Sequence, residues 1–236
     1  MADANEKLRV EFNEWAVQGR GAEMESHHLS IAGQTIARMA LKAGDRVLDL
    51  GCGAGWATRL LAEAVQGGQG MAAGLDISEE MIARARAGAR DVENVLFAIA
   101  AADEIPWMDE YFESALSIES FYYYPDQEAV LRELYRVLIP GGSLFILINL
   151  YKENPYSLGW AKQLKVAVHV RSETEYAEML RVRGFTGVRS THIADLTATP
   201  EQYSGAWFAN AEELREFKRI GALLLEARKP EAGMRG

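Results

Sequence analysis

The chain has little cysteine, little positive charge and no long apolar run. Its single cysteine, Cys52, excludes an internal disulfide framework and a cysteine-rich zinc site, and it suits a reducing compartment. Lys and Arg number 25 against 34 Asp and Glu, giving a net charge of −9, so we expect no nucleic-acid partner. The longest strongly apolar stretch, residues 144–150, is far shorter than the roughly 20 residues of a membrane-spanning helix. We therefore expect no membrane partner and, because the charged N-terminus lacks a signal-peptide core, a cytoplasmic protein.

Short apolar runs alternate with helical patterns along the chain. Strands are predicted at residues 46–50, 71–77, 95–100, 114–120, 144–150, 188–193 and 220–227. Ser172 and Glu175 form a capping box for a late helix that ends at Gly184. This alternation is typical of an α/β domain with a mainly parallel sheet.

Two regions are not required by such a core. Residues 1–43 contain two amphipathic helical patterns, and residues 151–170 separate a strand from a helix. We expect residues 1–43 to form an N-terminal helical cap and residues 44–230 to form the main domain. Within that domain residues 151–170 are a candidate lid, and residues 231–236 are a tail.

The most informative segment is VLDLGCGAGW, residues 47–56. It predicts a buried strand, then a turn with Gly51, Gly53 and Gly55 at alternate positions, then a helix. Glycines let a ligand approach bare backbone, and the helix N-terminus offers free N–H groups. The dinucleotide pattern G-x-G-x-x-G would need a third glycine at Trp56, so the spacing disfavours a dinucleotide.

Two acidic residues define the rest of this ligand. Asp49 places a negative charge beside the loop, which is unfavourable for a pyrophosphate and favours a cation such as a sulfonium or ammonium group. Asp76 ends the next strand, where a carboxylate can accept hydrogen bonds from both hydroxyls of a ribose. Together, Asp49 and Asp76 favour a ligand that has both an adenosyl ribose and a cationic, zwitterionic tail. S-adenosylmethionine is that ligand.

Four motifs carry a family resemblance: LDLGCGAG, GLDIS with Asp76, DEIPW at residues 103–107 and RVLIPGG at residues 136–142. In this order they resemble the class I S-adenosylmethionine-dependent methyltransferases, particularly the small-molecule branch. The resemblance runs over residues 45–149 and resumes weakly at 178–184 and 221–230. It implies a Rossmann-like fold: a seven-stranded, mostly parallel sheet with helices on both faces and an antiparallel last strand from GALLLEA.

The resemblance also implies how the cofactor is held. Asp49 and Gly51 would lie near the methionyl amino group, Gly53 and Gly55 would shape the loop, and Asp76 would bind the ribose. The family's usual adenine-loop Asp falls on Ala101, so the adenine amino group is held by Asp103 or by backbone alone. The remaining expected cofactor contacts are Cys52, Ile77, Ala102 and Glu119. The product is S-adenosylhomocysteine, and no metal is expected.

Candidate catalytic and acceptor-binding residues come from two further segments. Glu119 follows the fourth strand and could contact the cofactor or take a proton from the acceptor; the alternative is a carboxylate that caps the loop's own amides. Tyr122 and Tyr123 could form a wall beside the acceptor, or simply pack. His169 could reach over the pocket or have a structural role.

The second segment joins the two N-terminal helical patterns. Here Arg20 could bind a carboxylate beside Trp15, and His28 or Glu25 could act as a base. The alternative is a solvated turn with a capping histidine.

We therefore predict methyl transfer to a small-molecule acceptor by in-line displacement, with N-, O-, S- and C-methylation and the oligomeric state left open. A cofactor-binding protein of the same fold without turnover is the main alternative. An NAD(P)-dependent oxidoreductase is disfavoured by the glycine spacing.

Overall fold

The computed structural model describes residues 2–233, so residues 234–236 of the predicted tail lie outside the described residues. The helices are α1 (Ala2–Val17), α2 (Arg20–Arg38), α3 (Trp56–Ala64), α4 (Glu79–Gly88), α5 (Gln127–Val137), α6 (Glu173–Arg183) and α7 (Ala211–Ile220). The strands are β1 (Arg46–Leu50), β2 (Met71–Asp76), β3 (Val95–Ile99), β4 (Phe112–Ile118), β5 (Leu138–Ile148), β6 (Thr186–Ile193) and β7 (Ala222–Arg228). Two 3-10 helices span Phe121–Tyr123 and Leu158–Lys162.

The seven strands form one sheet in the order β3-β2-β1-β4-β5-β7-β6. Strand β7 is antiparallel to both of its neighbours, and the other strands are parallel to one another. The predicted fold class is confirmed. The strand order reverses at β1, between β2 and β4, and in open α/β sheets the crevice outside the carboxyl ends of the strands at such a point binds the ligand.

The buried residues of β1 show how both faces of the sheet are covered. Leu48 packs in the cluster that contains Leu8 and Trp15 of α1, whereas Val47 packs with Ile31 of α2 and its neighbours. Successive side chains of a strand point to opposite faces, so the two N-terminal helices contribute to hydrophobic clusters on opposite faces of the sheet. Burial of these apolar side chains from both sides is the main contribution to the stability of this centre.

The helical capping follows the sequence signals. The Ser78 hydroxyl accepts a hydrogen bond from the N–H of Met81 at the start of α4. The predicted capping box of Ser172 and Glu175 is present at the start of α6, and that helix ends at Gly184 in the left-handed conformation (φ 105°). These caps fix where two crossover helices begin and end.

The N-terminal connection differs from the prediction. Glu25 and His28 were expected in a segment joining two helices, but they lie inside α2, which begins at Arg20. The chain turns at Gly19, which has a φ of 80°. Because this glycine adopts the left-handed conformation at no steric cost, the turn needs no longer connection, and the placement of Arg20 and the residues after it in a linker is wrong.

Two elements near the C-terminal half were also placed differently. Helix α5 ends at Val137 and Leu138 is already extended, so β5 starts before Pro140 rather than after Gly142. Helix α7 was not predicted from the sequence. Its N-cap is Asn210, whose side chain accepts hydrogen bonds from the N–H groups of Glu212 and Glu213. Strand β7 accordingly starts at Ala222 rather than at residue 220.

Across residues 2–233, no helix combines the length and the apolar character needed to cross a bilayer.

Candidate active site

A cavity of about 580 Å³ lies at the carboxyl ends of β1, β2 and β4. Its walls come from the glycine loop, from α1 and α2, from the second 3-10 helix and from residues 195–218. This volume is within the usual range for small-molecule sites. Cofactor-side and acceptor-side candidates from the sequence line the same cavity.

The three loop glycines have different roles. Gly53 (φ 51°) lines the cavity, and a Cβ atom added there would meet nothing within 4 Å. At Gly51 (φ 76°) an added Cβ would lie 2.5 Å from Ser120, so this glycine is required by the neighbouring loop. At Gly55 it would meet Ala85 at 2.8 Å, and Gly55 does not line the cavity. Gly53 therefore offers the open backbone, whereas Gly55 permits close packing of α4.

Asp76 lines the cavity beside this open backbone. Its Oδ2 accepts a hydrogen bond from the N–H of Gly53 at 2.9 Å, and its Oδ1 accepts one from Ser78 at 2.9 Å. Burial raises the pKa of this carboxyl, and the backbone donors of Ser78 and Gly53 act against the rise. A carboxylate offers about four acceptor positions, so two remain for the hydroxyls of a ribose.

Asp49 lies behind the loop rather than on the cavity surface. It is 2% exposed, and its Oδ2 accepts a hydrogen bond from the Thr58 hydroxyl at 2.6 Å. Burial raises the pKa of Asp49 to about 7, and the negative charge of Asp76 adds to the rise. The structure thus does not place Asp49 in the lining, although the resemblance implied a position near the methionyl amino group.

Cys52 does line the cavity. Burial raises the pKa of its thiol well above the usual range, so Cys52 is a protonated, small apolar group.

Two of the residues expected to contact the cofactor, Ile77 and Ala102, line the cavity. Asp103 does not: its carboxylate accepts a hydrogen bond from Nδ2 of Asn5 at 3.2 Å. Asn5 itself lines the cavity, a role that was missed from the sequence because α1 is distant from this loop along the chain.

Glu119 occupies the inner wall in a strained backbone conformation. It is a non-glycine residue with a φ of 51°, and such left-handed residues cost about 1–3 kcal/mol when the surroundings hold them. Its Oε1 accepts a hydrogen bond from the N–H of Asn149, and its Oε2 accepts one from the Tyr122 hydroxyl at 3.1 Å. The carboxylate thus caps an amide, as one reading of the sequence expected, but the amide belongs to the chain after β5.

His28 of α2 also lies close to Glu119. Its Nε2 lies 3.9 Å from Oε2 of Glu119. Burial raises the pKa of Glu119 to about 7, and burial lowers the pKa of His28 to about 4. At neutral pH the histidine is therefore uncharged and the carboxyl is poised between its two forms, which suits a group that accepts a proton.

The other acceptor-side candidates separate into two groups. Trp15, Arg20, Tyr122 and Tyr123 line the cavity, and the guanidinium of Arg20 stacks 3.8 Å from the ring centroid of Trp15. Glu25 does not line it. Its carboxylate lies 3.8 Å from the guanidinium of Arg59.

His169 is also outside the lining. Its backbone N–H donates to the carbonyl of Tyr122 at 2.8 Å, and its carbonyl accepts from the Tyr176 hydroxyl at 3.1 Å. The residue therefore supports the tyrosine loop through its main chain.

Residues 194–210, between β6 and α7, form a wall that the sequence analysis missed. Tyr203, Trp207 and Phe208 from this connection line the cavity, together with Trp160 of the second 3-10 helix and Phe217 of α7. Three aromatic residues within six positions of a long connection are the signal that could have identified this wall. Among residues 2–233, no group of three or more His, Cys, Asp or Glu side chains is arranged to hold a metal ion.

Comparisons with known proteins agree with this geometry. Residues 41–202 match the family described as "Methyltransferase domain". The 27-O-demethylrifamycin SV methyltransferase of Amycolatopsis mediterranei is 31% identical over 242 residues, which cover 89% of this chain and 86% of the relative. O-methyltransferase resE of Aspergillus sclerotiorum is 32% identical over 165 residues, covering 67% of this chain and 61% of that protein.

Among solved structures, one similar chain comes from the complex between the Haloferax volcanii Trm112 methyltransferase activator and a methyltransferase. The TM-score is 0.87 at 34% sequence identity, and the match covers 94% of this chain and 98% of that one. The family match, the sheet order and the cavity at the switch point lead to one assignment. This chain belongs to the class I S-adenosylmethionine-dependent methyltransferases.

Proposed function

We propose that the protein transfers the methyl group of S-adenosylmethionine to a small-molecule acceptor. The observation that carries this proposal is the shared cavity: Gly53 and Asp76 lie in one part of its wall, and Glu119 with His28 lies in another. A donor bound along the first part and an acceptor beside the second would meet within one enclosed space.

The residues present fit the cofactor. Gly53 leaves open space where any other residue would place a Cβ, and Asp76 retains acceptor positions for ribose hydroxyls. Ile77 and Ala102 supply an apolar boundary for adenine. When bound, the sulfonium supplies a methyl carbon that is already activated toward nucleophiles, so the protein contributes mainly alignment and electrostatics.

Glu119 is the proposed proton acceptor for a hydroxyl nucleophile. The acceptor oxygen forms its bond to the methyl carbon while the carbon–sulfur bond breaks and leaves its electron pair on sulfur. The hydroxyl proton goes to a carboxylate oxygen of Glu119, which Tyr122 orients by its hydrogen bond at 3.1 Å. Two of the relatives are named for O-methylation or for an O-demethyl substrate, which supports a hydroxyl acceptor.

Residues 1–43 and 151–170 are proposed to act as cap and lid over this chemistry. Helix α1 is fixed to the cofactor side because Arg9 pairs with Glu79 and the Ser78 hydroxyl donates to Asn13 at 2.6 Å. Trp160 and Leu164 bring the other segment to the cavity. Together they would exclude water from the reacting groups, which strengthens the electrostatic interactions there.

Calorimetric titration with S-adenosylhomocysteine tests the cofactor assignment. We expect the wild type to bind. In Asp76→Ala the affinity should be at least about tenfold weaker, a loss of roughly 1.4 kcal/mol of binding free energy.

A metabolite-library assay that follows S-adenosylhomocysteine release, with mass spectrometry of the product, tests turnover. Cofactor binding without release in any acceptor pool would favour the alternative of a binding protein without turnover.

We also propose that a protein activator binds this chain. The Haloferax volcanii relative was solved with the Trm112 activator, and β3 is an edge strand of the present sheet. Leu96 and Ile99 on this strand are 52% and 49% exposed, so large apolar side chains are accessible at the open edge of the sheet. Co-elution with Trm112 in size-exclusion chromatography tests the proposal, and Leu96→Lys should abolish co-elution if this edge is the contact.

A further inference from the structure

The outer part of the cavity is walled by aromatic rings. Five residues, here called the aromatic compartment, line it: Trp160, Tyr203, Trp207, Phe208 and Phe217. The centroids of neighbouring rings in this group are 4.9 to 5.9 Å apart, as in ordinary packed aromatic clusters. The compartment therefore exposes a continuous apolar surface to the cavity.

The connection that carries three of these rings is fastened at several points. Nζ of Lys218 donates to the Thr197 hydroxyl at 2.7 Å and to the carbonyls of Thr197 and Ala198. The side chain of Gln34 on α2 donates to the carbonyl of Ala194 at 2.9 Å. The Tyr203 hydroxyl accepts the N–H of Trp207 at 3.2 Å. These bonds hold the wall open in a defined shape, as expected of a binding surface that is formed before its ligand arrives.

The charges of this wall are already paired. Asp195 accepts hydrogen bonds from the N–H and the hydroxyl of Thr197, both at 2.9 Å, and its carboxylate lies 3.5 Å from Nζ of Lys218. The side chains of Asp195 and Lys218 are each only 13% exposed. An anionic or cationic ligand group would therefore lose hydration at this wall without gaining a free partner of opposite charge from Asp195 or Lys218.

Resting on the proposed methyl transfer, we infer that the acceptor is a neutral, aromatic small molecule that carries a phenolic hydroxyl. Its ring system would pack in the aromatic compartment, and its hydroxyl would reach Glu119 at the inner wall. Apolar and aromatic surfaces on both sides exclude water from the ring, and the carboxylate of Glu119 takes the hydrogen bond from the hydroxyl.

Naphthol is a probe of this chemistry, and hydroxynaphthalene sulfonate is its matched control, since it adds a charge to the same ring and hydroxyl. Equilibrium binding of both is measured by titration, with and without saturating S-adenosylhomocysteine. We expect the neutral probe to bind at least about tenfold more tightly than the sulfonate. Equal affinity for the two probes, or tighter binding of the sulfonate, would overturn the inference.

Matched variants locate the binding. Trp160→Ala and Phe208→Ser should each weaken naphthol binding by about fivefold or more. The controls lie in the same segments but outside the lining: Leu158→Ala, 38% exposed, and Leu196→Ser, 75% exposed. They should change the affinity less than about twofold. Because Phe208 lies in a partly exposed connection, its variant tests the compartment even if Trp160→Ala does not fold.

Failure of the proposed function and failure of the acceptor class give different experimental results. Loss of S-adenosylhomocysteine binding in the wild type would remove the proposed function, while the naphthol titration without that ligand would still report on the compartment. Intact S-adenosylhomocysteine binding with naphthol affinity that is the same in compartment and control variants would overturn the acceptor class alone.

Discussion

Nε2 of His28 lies 3.9 Å from Oε2 of Glu119, and the two residues come from the cap helix α2 and from the loop after β4. Burial lowers the pKa of the histidine to about 4 and raises that of the carboxyl to about 7. The pair is therefore uncharged over much of the acidic range and carries one negative charge above neutrality. This contact joins the N-terminal cap to the reacting centre.

The first prediction concerns the pH dependence of methyl transfer. If Glu119 accepts the proton, only its ionised form is active, so kcat should rise with pH through about 7 and level off above it. Glu119→Gln should lower kcat by about 10² to 10⁴ and abolish this inflection. The assay is S-adenosylhomocysteine release with the acceptor found by screening. Glu23→Gln, at another carboxyl in the cavity wall, is the control, and an unchanged profile in Glu119→Gln would exclude the assigned role.

The second prediction is that Tyr122 affects the pH at which this inflection of kcat occurs. Its hydroxyl donates to the carboxylate of Glu119 and so stabilises the ionised form. Tyr122→Phe removes this hydrogen bond, and the inflection should move to higher pH while kcat at high pH is largely kept. A shift toward lower pH would contradict the geometry described here.

A third prediction concerns stability. Asp49 is ionised above a pKa of about 7 in the folded chain but above its usual value of 3.8 when unfolded. The folded state therefore binds more protons between these values, and its stability should fall as pH rises through this range. Asp49→Asn removes the effect while an amide oxygen can still accept from Thr58. We expect a rise in Tm of at least about 3 °C at pH ~8, and a smaller rise near pH ~4, by calorimetry without ligands.

The glycine loop gives a fourth prediction with an internal control. Gly53→Ala meets no atom within 4 Å, so it should cost only about 1–2 kcal/mol of backbone strain while blocking the cofactor surface. Gly51→Ala adds a clash with Ser120 and should destabilise the fold by more. Comparison of Tm with S-adenosylhomocysteine affinity distinguishes the two. Unchanged affinity in Gly53→Ala would show that the open backbone is not the binding surface.

The fifth prediction compares Asp76 and Asp103, two of the acidic residues that the sequence assigns to the cofactor. Asp103 does not line the cavity, although its carboxylate accepts a hydrogen bond from the lining residue Asn5, so Asp103→Asn should change S-adenosylhomocysteine affinity less than about twofold. Asp76→Asn should weaken it by about tenfold or more. Calorimetric titration of both variants gives the comparison, and a large loss in Asp103→Asn would restore the adenine role that the resemblance allowed.

The part of the cavity wall that contains the glycine loop and Asp76 was predictable because its residues are local in sequence. The strand, the glycine turn and Asp76 follow one another within one βαβ unit, and glycine spacing with a strand-end carboxylate has a specific meaning. The seven-stranded, mostly parallel sheet with an antiparallel last strand followed from the same alternation and from the family resemblance.

The acceptor half was predictable only in fragments. Trp15 and Trp160 are far apart in the sequence and meet the cavity only through the tertiary packing of α1 and the second 3-10 helix. Asp103 and Glu25 lie outside the lining because side-chain direction depends on partners, Asn5 and Arg59, that no local pattern reveals.

The left-handed backbone at Glu119 restricts which side chains can replace it over evolutionary time. Glycine, asparagine and aspartate tolerate this conformation best, whereas β-branched residues fit it worst. A lineage that abandons proton removal, for instance by moving to an acceptor that is nucleophilic without deprotonation, should therefore drift toward glycine or asparagine here rather than toward valine or threonine. The identity of this one residue across descendants would then record which chemistry each of them performs.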